Sequence, residues 1–99
     1  MSVFLDVDPA TLHLPPSRLA GADPGKLARQ LSIHRLSTTR MPPLTVIRDG
    51  NRRLQILDGV TRATRVAKWI PGQLVPVEVI ADYPNSDFSN LPTISERLP

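Results

Sequence analysis

Hydrophobic residues along this 99-residue chain come in short bursts punctuated by proline, glycine and charge. Phe4 to Asp8 reads as a short β-prone run that Pro9 ends. His13 to Leu19, HLPPSRL, is a proline-stiffened connection. Asp23-Pro24 sets an N-cap acid before a first-turn proline, which predicts a helix start. Leu27 and Leu31 then fall one turn apart. Ile33 points off that stripe, and the helix is expected to end between Ser32 and Leu36. Ser37 to Pro43 is a loop, because two prolines do not sit inside a helix. Leu44–Arg48 and Arg53–Leu57 are β-rich runs around Asp-Gly-Asn, which predicts a hairpin, with Asp49-Gly50 or Gly50-Asn51 supplying positive φ. Over residues 60–70 the helical period puts Val60, Ala63, Val66, Ala67 and Ile70 on one face. Thr61, Thr64, Arg65 and Lys68 take the opposite face. Pro71-Gly72 stops that helix, and Val75–Ala81 is a further strand. The order strand, helix, hairpin, helix, strand predicts a small α+β (mixed α/β) domain over residues 1–82. Two main helices would pack on a curved mixed sheet that includes the hairpin. Residues 83–99 read as a polar, proline-rich tail.

Composition narrows the chemistry. The length fits one domain with one modest core. No cysteine is present, so disulfides, thiol-ligated metals and cysteine nucleophiles are excluded. The N-terminus has no basic stretch before an apolar one, so no signal peptide is expected. No apolar run approaches the roughly 18 residues of a membrane span. The expectation is a cytoplasmic protein without a membrane partner. Charge is unevenly spread. The chain carries +3 overall, yet residues 29–68 hold nine cations against Asp49 and Asp58. Ten of the twelve basic residues are arginine, whose planar fork suits phosphate and carboxylate. Such a basic middle fits an anionic partner: a nucleotide, DNA or an acidic protein. Ordinary solvated charge accounts for it equally well.

The sharpest chemical signal is Asp58-Gly59-Val60-Thr61-Arg62, where a strand hands over to a helix. A helix N-terminus presents unpaired N–H groups and about half a positive charge. Gly59 leaves room for close approach, Thr61 adds a hydroxyl and Arg62 a two-pronged donor. Together they form the parts of a phosphate seat. The competing reading is that the glycine serves only the turn.

The stretch PPLTVIRDGNRRLQILDGVTRATRVAKWIPGQLVPVEVI resembles the ParB/sulfiredoxin-like superfamily. The elements that match are Pro43, the hairpin, Gly59-Val60-Thr61-Arg62, the alanines 63 and 67, Gly72 and Val75-Pro76-Val77, and the likeness spans roughly residues 3–82. It implies a nucleotide- or phosphate-binding fold, as in CTP-binding partition proteins, ATP-using sulfiredoxins and free-serine kinases. Gly59, Val60, Thr61 and Arg62 would then hold phosphates of ATP or CTP, with Mg²⁺ at Asp58. Any enzyme activity would be phosphotransfer or nucleotide hydrolysis. Val60 stands where sulfiredoxins carry the catalytic cysteine and partition proteins a glutamate. Thr61 stands where partition proteins carry an arginine and the kinase-like members a histidine. Sulfinic acid reduction is excluded for want of a thiol. The alternative of a different class is a non-catalytic DNA- or protein-binding module.

Other candidates are weaker. Arg18 follows Leu-Pro-Pro, where the resembled partition proteins place an arginine near the nucleotide, and a surface arginine is the plainer reading. Arg40 is the best ligand candidate of the Ser37–Arg40 loop. Arg52 and Arg53 flank the hairpin turn, where they are expected to blunt an edge strand, with nucleic-acid contact the lesser reading. Glu78 interrupts an apolar strand and either faces solvent, meets an arginine such as Arg62, or acts with Asp58 as a catalytic acid. Asp6 and Asp8 read as solvated, and His13 and His34 as structural.

Overall fold

The computed structural model describes residues 2–99. Its six main elements fall close to their expected bounds: β1 Val3–Val7, α1 Pro24–His34, β2 Leu44–Asp49, β3 Leu54–Asp58, α2 Val60–Trp69 and β4 Val75–Tyr83. Asp23 caps α1, accepting the Lys26 N–H at 2.9 Å. The strands form one mixed sheet in the order β1-β4-β2-β3. β1 runs antiparallel to β4, β4 parallel to β2, and β2 antiparallel to β3. This is a small α+β domain with an open sheet. Among the described residues no helix is long and apolar enough to cross a membrane.

The core lies on one side of the sheet. Leu44, Val46, Ile56, Val75, Val77 and Val79 pack against Ala63, Val66 and Ala67 of α2. α1 then packs on α2 rather than on the sheet, so α2 is the middle of three layers. The helical period set Thr64 and Arg65 opposite the apolar face, yet both are 2% exposed; Arg65 is held under the loop after α1, whose Arg35 and Ser37 carbonyls it bonds. Thr64 satisfies its hydroxyl on the Val60 carbonyl at 2.8 Å.

Two further corrections concern loops. In the hairpin, positive φ falls on Arg52 (65°), not on Gly50 or Asn51. Asp49 organises that turn: its side chain accepts N–H groups from Asn51, Arg53 and Phe88. Gly50 is needed for a different reason, since a Cβ there would overlap the Pro84 carbonyl. Residues 84–99, read as a tail, contain no strand or α-helix, yet they are packed. Ile94 is 1% exposed and belongs to the core. Its N–H bonds the Leu12 carbonyl, and the Leu14 N–H bonds the Pro92 carbonyl. The His13 backbone in turn pairs with Leu54 and Ile56 along the free edge of β3. The last segment therefore clasps an early one, and that early one shields a sheet edge.

Candidate functional site

The Asp58–Arg62 turn owes its shape to one glycine. Gly59 sits at φ 102°, ψ 22°, a region L-residues rarely enter. A Cβ there would lie 2.5 Å from Leu44 Cδ2 and 2.9 Å from Arg62 Nη2. The Arg62 guanidinium thus folds back over the bare α-carbon. No side chain caps α2. Its first helical N–H bond is Ala63 to Gly59 O at 2.9 Å, which leaves the N–H groups of Val60, Thr61 and Arg62 without a place in the helix ladder.

In front of these groups lies a cleft of about 280 Å³. Its walls come from three places: Ser17 and Arg18 in the early connection, Lys26 and Gln30 on α1, and the whole Asp58–Arg62 turn. Three cations from separate parts of the chain, Arg18, Lys26 and Arg62, therefore border one cleft at a helix N-terminus. The turn and Arg18 were predicted as site residues, and the fold brings them together. Lys26 was missed. Its signal was positional: it sits in the first turn of a helix whose start, Asp23-Pro24, was plain.

Arg62 also has internal partners. Nη1 donates to the Pro42 carbonyl at 2.8 Å, and Nη2 lies 3.6 Å from Asp58 Oδ2. The Arg62 side chain is 20% exposed and that of Asp58 81%, so the pair is loose and solvent-screened. Asp58 is the single carboxylate on the cleft wall among the described residues. No group of three or more His, Cys, Asp or Glu is placed to hold a metal among them. Asp58 alone suits Mg²⁺ only as a cation shared with a ligand's phosphates.

The remaining predicted residues lie elsewhere. Glu78 shares a cross-strand row with Thr45, which in turn pairs with Asp58. It alternates with the core residues Val77 and Val79, so it lies on the other face of the sheet, outside the cleft. Asp58 and Glu78 are not assembled as a pair. Arg40 lies behind Arg62, on a smaller cavity that Arg65 also lines. His13 Nδ1 donates to the Leu91 carbonyl at 2.8 Å, a structural role.

The basic middle of the chain is not one surface. Arg48 pairs with Asp82 at 2.6 Å, a hydrogen bond that holds the Asp82 carboxyl below the usual carboxylate range. Arg53 approaches Asp87 at 3.8 Å, and Arg65 is buried. Arg29, Arg35 and Arg40 are exposed and make no ion pair among the described residues. Comparison with protein-family models, curated proteins and solved structures finds no match for this chain.

Proposed function

We propose that the cleft binds a phosphate-bearing ligand, with a nucleotide as the class that best fits its size. The observation that carries this is the convergence of Arg18, Lys26 and Arg62 on the uncapped start of α2. Helix N–H groups and the helix dipole favour an anion there, and guanidinium groups add charge-assisted bonds. The Gly-x-x-Arg spacing of the resembled ParB/sulfiredoxin-like family supports the same reading. On this reading Val60, Thr61 and Arg62 supply amides to a phosphoryl group, and Thr61 adds its hydroxyl. Arg18 and Lys26 close on the ligand from the other wall. Asp58, on the rim, is placed to share a Mg²⁺ that rides on the phosphates of ATP or CTP. Such a cation would neutralise phosphate charge and offset the carboxylate beside it. If the chain is a phosphotransferase or nucleotide hydrolase, Asp58 is the acid at hand, since Glu78 lies outside the cleft.

A thermal-shift panel of nucleoside triphosphates, with and without Mg²⁺, tests the proposal. Ligand at a hundred times its Kd adds about 2.7 kcal/mol, which for a domain this size is a Tm rise on the order of 10–20 °C. Arg18→Ala and Lys26→Ala should each reduce that rise without altering the fold, because both side chains are exposed. Arg62→Ala is a poorer probe, since it also releases the Pro42 carbonyl. If no triphosphate moves Tm while DNA binds with a steep salt dependence, the reading gives way to a DNA-binding module.

A further inference from the structure

Arg65 is 2% exposed and has no Asp or Glu within ion-pair distance among the described residues. Its Nη1 donates to the carbonyls of Arg35 and Ser37, each at 2.9 Å. Its Nε is buried and finds no acceptor. Buried charges are ordinarily paired or fully hydrogen-bonded, and two carbonyl dipoles leave this one incompletely matched. Burial pulls the guanidinium below its ordinary pKa, which is the direction expected when a cation lacks a counter-charge.

Beside Arg65 is a cavity of about 50 Å³. Arg40, Arg62 and Arg65 all line it, and no carboxylate does. Gln30 also lines it, and its Oε1 is buried without a donor. Turning that amide over would present Nε2 in its place, and the two orientations are chemically interchangeable in shape. Three guanidiniums around one small hole repel one another unless a negative charge sits among them. Arg62 and Gln30 form the partition between this cavity and the outer cleft, because both line each of them.

We propose that this cavity is an inner anion subsite that takes one tetrahedral oxyanion, a phosphoryl or sulfuryl group, held by Arg40, Arg62 and Arg65. The volume suits a group of that size and is too small for a base or sugar. The subsite rests on the unmatched buried guanidinium, not on the nucleotide reading of the outer cleft. Its occupant is either free phosphate or the end of a ligand whose remainder lies in that cleft.

The test is titration of the whole chain with inorganic phosphate at constant ionic strength, read by calorimetry and Tm. Phosphate should bind saturably at millimolar concentration where chloride does not. Arg40→Gln, an exposed position that leaves the fold intact, should weaken phosphate about tenfold, the loss of one charge-assisted bond. Arg29→Gln, at an exposed arginine that lines neither cavity, should leave phosphate affinity unchanged. Competition between phosphate and a triphosphate identifies the occupant as the end of a longer ligand; binding of phosphate alone, or of both without competition, identifies free phosphate. The proposal is overturned if phosphate acts no differently from chloride, or if Arg40→Gln leaves its binding intact. A triphosphate that fails while phosphate succeeds would sink the nucleotide reading and spare the subsite.

Discussion

Replacing Gly59 with alanine should damage both stability and the candidate site, for two separable reasons. The first is conformational. At φ 102° an L-residue is strained by about 1–3 kcal/mol. The second is steric. The new Cβ would meet Leu44 Cδ2 at 2.5 Å and Arg62 Nη2 at 2.9 Å. Leu44 is fully buried, and such overpacking costs about 1–3 kcal/mol. Arg62 can swing aside, but only by giving up its bond to Pro42. The two effects together come to about 2–6 kcal/mol, a large share of the roughly 5–15 kcal/mol that holds a domain together. Gly72→Ala is the internal control. Gly72 also has positive φ, 85°, yet nothing lies within 4 Å of its would-be Cβ. It should lose the conformational part alone. Urea unfolding followed by far-UV circular dichroism gives both values. Gly59→Ala should be the less stable by about 1–3 kcal/mol and should bind phosphate ligands more weakly. Equal losses at the two glycines would show that Leu44 and Arg62 do not close on Gly59 as described.

Two other substitutions probe features outside the cleft. Ile94→Ala should cost about 2–5 kcal/mol, measured by urea unfolding; a loss under half a kcal/mol, the scale of surface substitutions, would mean that the final segment is not part of the core. For Asp49, burial pushes the pKa up, and N–H groups from Phe88, Arg53 and Asn51 outweigh it, so the folded value lies below the ordinary one. A depressed folded pKa contributes stability that is complete above the unfolded value, about 3.9, and fades as pH falls through the folded value. Asp49→Asn should therefore lower the urea midpoint at neutral pH and lessen its fall on acidification, and an unchanged acid limb would contradict the assignment. Asp82, Asp87 and Glu96 are depressed too, so part of the acid sensitivity should persist.

Punctuation carried most of what could be read in advance. Asp23-Pro24, Pro71-Gly72 and the Asp58-Gly59 junction mark chain events that local chemistry dictates, and the elements between them appear where expected. The Gly59–Arg62 turn was legible for the same reason, whereas Arg18 carried no local signal and was named only through the resemblance, with a surface arginine as the plainer reading. What was hidden depends on who covers whom. Thr64 and Arg65 look solvated on a helical wheel, because periodicity cannot announce that another helix will lie over the polar side. Ile94, with Phe88, Leu91 and Leu98 nearby, lies in a stretch broken by Pro84 and Pro92 that builds short 3-10 turns, so no regular element announces its burial. His13 completes a ladder with too few residues to register as a strand. Gly50 looked like a turn glycine, and its real constraint, the Pro84 carbonyl, arrives from 34 residues away.

The clasp between Leu12 and Ile94 has a consequence for biogenesis. Loop closure over some eighty residues comes late and carries an entropic penalty. During translation the outer rim of β3 must wait, half-dressed, until residue 94 has been made. A chain cut short of that residue and released would keep all four strands but lose the clasp on the His13 segment, leaving a border that can recruit a stranger's strand.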